Sequence, residues 1–128
     1  MRPSVQIAYD TDRFDETVAF WTRTLGLKFQ RGWDNEDGRG ALIELNECTV
    51  VEVFAAPAGG EPLSPPAPGS FDIMVQVDDI DYWHARLTAD GISVEGPLIK
   101  PHHHQLILHD PNGVAVWLFK YPDPKDVA

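Results

Sequence analysis

Residues Asp110–Tyr121 read DPNGVAVWLFKY, four residues with turn chemistry running into a strand. Alternation along that strand puts Ala115, Trp117 and Phe119 on one face and Val114, Val116 and Leu118 on the other. Both faces are apolar. A sheet covered by a helix on one side only would leave an indole in water, so what Trp117 faces depends on the architecture around it.

Upstream, the chain follows one plan twice. "VQIAYD" (Val5–Asp10) reads as a short strand. In the next segment, "TDRFDETVAFWTRTLGL", Phe14, Val18, Trp21 and Leu25 recur at helical spacing, acids crowd the first turn, and Gly26 stands where a C-terminal cap belongs. Strand-like runs start at Leu27, Gly40 and Thr49, with "DNEDGRG" (Asp34–Gly40) as the turn between the first two.

After the proline-rich "APAGGEPLSPPAPGS" (Ala56–Ser70) the plan restarts with the strand "FDIMVQV" and the helix "DDIDYWHARLTADGI". Ile80, Trp83 and Leu87 form the stripe of that helix and Gly91 its end. "ISVEGPLI", "HHHQLILHD" and the opening strand complete the unit. Equivalent positions keep a nearly constant spacing. The step from Phe14 to Ile80 equals the step from Gln6 to Asp72, and the step from Gly26 to Gly91 is shorter by a single position. The expected division is module one at 4–56, a linker at 57–70, module two at 71–121 and a tail at 122–128. Trp21 and Trp83, both on helix stripes, are expected in the core.

The chain has 128 residues, 43% of them hydrophobic, enough for one ordinary domain with a core of its own. A formal net charge of −10 repels phosphate backbones and anionic membranes, so neither nucleic acid nor a membrane is expected as a partner. A neutral or cationic ligand suits that charge better. The single cysteine, Cys48, reads as a small strand residue in a reducing, cytoplasmic compartment, and no secretory leader or membrane span is expected.

Three stretches resemble the vicinal-oxygen-chelate superfamily of glyoxalases, extradiol dioxygenases and bleomycin-resistance proteins. They are "AFWTRTLGL" (Ala19–Leu27), "VQVDDIDYWHARLTADGI" (Val75–Ile92) and "LHDPNGVAVWLF" (Leu108–Phe119). The resemblance implies an α+β fold of two βαβββ modules, each a half-barrel sheet with its helix outside and the ligand inside. In metal-dependent members the first and last strands of each module supply the metal ligands, usually His or Gln with Glu. Carried over, those positions are Gln6, Glu52, Asp72 and Trp117. An indole offers one N–H donor and no lone pair, so the fourth ligand is missing; Asp72 stands where histidine is usual and suits a first-row catalytic metal less well.

The inward faces implied by this alignment carry Val50, Glu52 and Phe54, then Asp72, Met74 and Gln76, then Ala115, Trp117 and Phe119. Aromatic, sulfur and carboxylate groups together fit a small planar aromatic or cationic ligand, a peptide antibiotic included. The expected binding set is Trp117, Phe119, Phe54, Met74, Glu52, Asp72, Gln6, Trp33, His103 and Gln105, with no catalytic residue, no metal and no cofactor. Trp33 is either an anchor for the acidic turn or an aromatic wall of the pocket. His102, His103 and His104 cannot all face one ion, so His103 and Gln105 are expected as hydrogen-bonding groups at the rim; a rim imidazole would make binding pH-sensitive. Glu52 and Asp72 read as orienting groups and not as an acid and base.

The expected function is sequestration of an aromatic natural product or antibiotic, by a homodimer that could exchange modules across its linker. The rival is a metal-dependent glyoxalase-like lyase or isomerase, or a dioxygenase, using Gln6, Glu52 and Asp72. A third reading has Trp117 and Phe119 filling a core with no ligand.

Overall fold

The structure is a computed structural model that describes residues 3–122, so all but the first residue of the expected tail lies outside the described residues. It divides into two compact units that part between Ala67 and Pro68. In the first, β1 (Val5–Asp10), β2 (Lys28–Asn35), β3 (Gly38–Asn46) and β4 (Thr49–Ala55) form a sheet in the order β1-β4-β3-β2. In the second, β5 (Asp72–Gln76), β6 (Glu95–Ile99), β7 (His104–His109) and β8 (Ala115–Lys120) repeat that order as β5-β8-β7-β6. The first strand of each unit runs parallel to the last, and the remaining pairs are antiparallel. This is the α+β fold of two βαβββ units.

Each sheet buries one face. In the first unit α1 (Phe14–Ala19) packs against β4, and Ala41, Ile43, Val51 and Val53 are fully buried. In the second α2 (Ile80–Ala89) packs against β6, β7 and β8, and Leu106, Leu108, Val116 and Leu118 are buried. Strict alternation produces this division, since successive strand residues point to opposite faces. Val114, Val116 and Leu118 accordingly lie in the core, while Ala115, Trp117 and Phe119 are only half-buried on the other side.

The register locates the single-position difference between the units. Gln6 pairs with Val50 and Asp72 with Ala115. The step from Gln6 to Asp72 is longer by one position than the step from Val50 to Ala115, so the first unit holds a surplus residue between its paired strands. The helix accommodates it. The continuous α-helix expected as far as Leu25 stops at Ala19; Phe20–Thr24 is π-helical, with the Leu25 N–H donating to the Phe20 carbonyl at 3.1 Å. A π turn accommodates an inserted residue. Here two consecutive rings, Phe20 and Trp21, both enter the core, edge to face at 5.3 Å. Trp21 is fully buried and its indole N–H donates to the Tyr9 hydroxyl at 2.8 Å.

Both helices end as expected, on Gly26 at φ 67° and Gly91 at φ 74°, a left-handed conformation that glycine adopts without strain. At the other end of α2, the Asp79 carboxylate accepts from the Tyr82 N–H at 3.0 Å, satisfying one of the free first-turn donors.

Several expectations need correction. The first hairpin turn is only Glu36–Asp37, not Asp34–Gly40, because the strands continue pairing through Asp34 with Arg39 and Asn35 with Gly38. Cys48 lies in the turn between β3 and β4, where its N–H donates to Asn46 Oδ1 at 2.8 Å, and not in a strand. The second unit's third strand begins at His104 and not at His102. Trp83 is only half-buried and not part of the core; its ring packs under the Arg86 guanidinium at 4.9 Å and stands nearly perpendicular to that of Tyr82 at 5.6 Å, both on its own helix.

Candidate functional site

Cross-strand partners share a face, so the register reads each helix-free face as rows. In the second unit the middle row runs Ile107, Trp117, Met74 across β7, β8 and β5. The row on one side of it is Gln105, Phe119, Gln76, with Leu98 of β6 opposite Gln105. On the other side is His109, Ala115, Asp72. Trp117 thus occupies the centre of this face, and Met74 beside it is 58% exposed.

The first unit has the same grid with other chemistry. Its middle row is Leu42, Glu52, Ala8, flanked by Glu44, Val50, Gln6 and by Gly40, Phe54, Asp10. Glu52 is therefore the positional counterpart of Trp117, at the same step that carries Gly26 to Gly91. At the end of this grid Trp33 faces Gly40 across β2 and β3. A Cβ on Gly40 would lie 1.9 Å from Trp33 Cζ2, so the indole lies directly on glycine backbone. The Phe54 ring meets Trp33 edge-on at 5.9 Å, and the Arg31 guanidinium stands 6.0 Å from the same ring. Trp33 thus lies on the helix-free face of the first unit, beside Phe54 and over Gly40.

Of the expected residues, the structure brings Trp117, Phe119, Met74, Gln105 and Asp72 onto one face of the second unit, and Gln6, Glu52, Phe54 and Trp33 onto one face of the first. His103 precedes β7 and its Nε2 bonds to Gln105 Oε1 at 2.9 Å, the two forming a polar pair. His109, Arg31 and Ile107 also belong to these faces and escaped the sequence reading. The signal for His109 was present, since it repeats the place of Glu44 at the step that carries Glu52 to Trp117, and it alternates with Gln105 along β7.

The donor set does not fit the metal centre that the family resemblance implies. Gln6 and Glu52 sit diagonally on neighbouring strands β1 and β4, and Asp72 and Trp117 hold the equivalent diagonal on β5 and β8. The second diagonal supplies one carboxylate and an indole, which has no lone pair to give. Among the described residues, no group of three His, Cys, Asp or Glu side chains is placed to hold an ion. The indole also carries an unmet demand of its own: Trp117 Nε1 is shut off from solvent and has no hydrogen-bond partner among the described residues.

A polar cleft of about 330 Å³ in the first unit, lined in part by Thr11, Arg13 and Arg39, adjoins a cleft of about 390 Å³ that Trp33 and Gly40 line, with Phe14 and Arg39 bordering both. Arg39 there is already engaged, 3.1 Å from Asp15, 3.6 Å from Asp34 and 4.3 Å above the Phe14 ring.

No curated protein matches this chain in sequence. Among solved structures, an antibiotic-binding protein, TnmS3 from Streptomyces sp. CB03234, superposes with a TM-score of 0.74 at 21% identity, covering 94% of this chain and 97% of that one. Lactoylglutathione lyase from Agrobacterium tumefaciens gives a TM-score of 0.69 at 20% identity over 94% of both chains. The trypanothione-dependent glyoxalase I of Leishmania major gives 0.75 at 17% identity, over 94% of this chain and 87% of that one. These likenesses show a shared fold that hosts binders and enzymes alike. The family profile matches residues 5–118, and on that match the chain belongs to the Glyoxalase/Bleomycin resistance protein/Dioxygenase superfamily.

Proposed function

We propose that this protein binds a small planar aromatic molecule on its helix-free sheet faces and sequesters it without a metal and without chemical conversion. The observation that carries this reading is Trp117, a half-buried indole at the centre of the second unit's face, on the strand position where the first unit has Glu52. Aromatic contact contributes about 1 kcal/mol beyond the apolar area removed from water, itself worth roughly 25 cal/mol per Å² before ordering costs. Phe119 and Met74 extend the aromatic and sulfur surface around Trp117, Phe54 with Trp33 forms an aromatic pair on the first unit's own face, and Gln105 with His103 sets the orientation of polar groups on the second. The likeness to a protein described as antibiotic-binding supports the same reading. Its use would be drug resistance or self-protection, by a cytoplasmic homodimer whose 57–70 segment is long enough for the two modules to be exchanged between chains.

The test is a panel of planar aromatic antibiotics added to the purified protein. Quenching of tryptophan fluorescence and a rise in Tm are expected for some members, and both are lost in Trp117→Ala. A parallel titration with divalent ions addresses the enzyme alternative: a stoichiometric ion whose binding disappears in Glu52→Gln and Asp72→Asn would overturn the metal-free reading.

A further inference from the structure

We infer that the ligand of the second unit's face is an acceptor, a planar aromatic that presents a carbonyl oxygen to the Trp117 N–H. The inference rests on the aromatic-binding reading and names the chemistry that reading leaves open. Trp117 Nε1 is closed to solvent yet finds no acceptor among the described residues. The contrast lies within the same molecule, where the buried indole of Trp21 has its Tyr9 acceptor at 2.8 Å. A buried donor left alone has lost its water without gaining a partner, and any acceptor delivered to it recovers that loss.

The surroundings favour a neutral acceptor over a cation. The one carboxylate in the Trp117 row is Glu95, exposed on the edge strand β6 opposite Ile107 and so two strands from the indole, and none lies in the Gln105, Phe119, Gln76 row. Gln105 is almost fully buried, and its amide oxygen is taken by His103, which leaves the N–H₂ as a second donor on this face. Asp72 and His109 lie a full row away, flanking Ala115. In the first unit the corresponding face holds Glu44, Glu52 and Asp10 instead. The side chain next to Trp117 in register is Met74, exposed and unbranched, and it can swing aside to let a flat molecule reach the indole edge.

A matched pair of probes tests this, 9-fluorenone and fluorene, planar tricycles of nearly the same shape that differ in one carbonyl. Affinities are read by fluorescence quenching, and the indole N–H protons of ¹⁵N-labelled protein by NMR, with the Trp117 signal assigned from its disappearance in Trp117→Phe. Fluorenone is expected to bind about tenfold more tightly than fluorene, the factor that one added hydrogen bond contributes. It should also move the Trp117 N–H proton downfield where fluorene does not, and the preference should vanish in Trp117→Phe. Equal affinities with the Trp117 signal displaced alike by both would overturn the inference and leave the aromatic-binding reading in place. Binding of neither probe would overturn both. The wild-type affinity ratio stands by itself if Trp117→Phe fails to fold.

Discussion

The two units bury the same face in the same way and differ on the face they leave open. Beneath the helices, Ile43 and Leu108 occupy equivalent strand positions and both are fully buried. On the helix-free side the equivalents part company: Glu52 against Trp117, Glu44 against His109, Gly40 against Gln105. Packing demands little more than an apolar side chain at each core strand position, so the repeated backbone dictates it. The open face answers to whatever it binds, and there a repeated backbone leaves the side chains free to diverge.

If the buried faces are equivalent, Ile43→Ala and Leu108→Ala should cost similar amounts, about 2–5 kcal/mol each. Urea denaturation measures both, and a near-neutral effect in either unit would break the equivalence. The open faces should respond unequally. Gly40→Ala drives a methyl into the Trp33 ring and should cost about 1–3 kcal/mol with a changed near-UV circular dichroism spectrum. Its counterpart Gln105→Ala removes one hydrogen bond to His103 and should cost about 1 kcal/mol. The smallest contrast concerns the indoles. Tyr9→Phe strands the Trp21 N–H in the core and should cost about 1–3 kcal/mol. Trp117→Phe breaks no hydrogen bond, so its cost should be the lesser of the two and confined to packing.

The fold was legible because its signals are local and repeated. Gly26 and Gly91 stop two helices, the Asp-Pro-Asn-Gly turn starts a strand, and a near-constant spacing ties the halves together. The turn is strongly specified: the Asp110 carboxylate accepts from the N–H groups of Asn112 and Val114 at 2.8 and 2.9 Å, holding the chain where β8 begins. Alternation also assigned the faces of β4, β5 and β8. What stayed hidden depends on partners distant in sequence. That Trp33 lies flat on Gly40 follows from β2–β3 register, which a turn read too long at both ends conceals. That the Trp117 N–H lacks a partner while the Trp21 N–H has one is a statement about three-dimensional neighbours, invisible in a list of residues. His109 differs again: it stands apart from the three adjacent histidines, and it is the strand period from Gln105 that places it on the face.

The π-helical stretch at Phe20–Thr24 bears on how such a duplicated chain tolerates insertion. Had the extra residue of the first unit entered β4, every side chain beyond it in that strand would have changed sides, turning core valines onto the open face and Glu52 into the core. Lodged in a helix, the same insertion is absorbed within one widened turn, and the strands downstream keep their phase. Length variation in this architecture is therefore less disruptive in the helices than in the strands, and a sequence that gains or loses one residue there can still present the same face to its ligand.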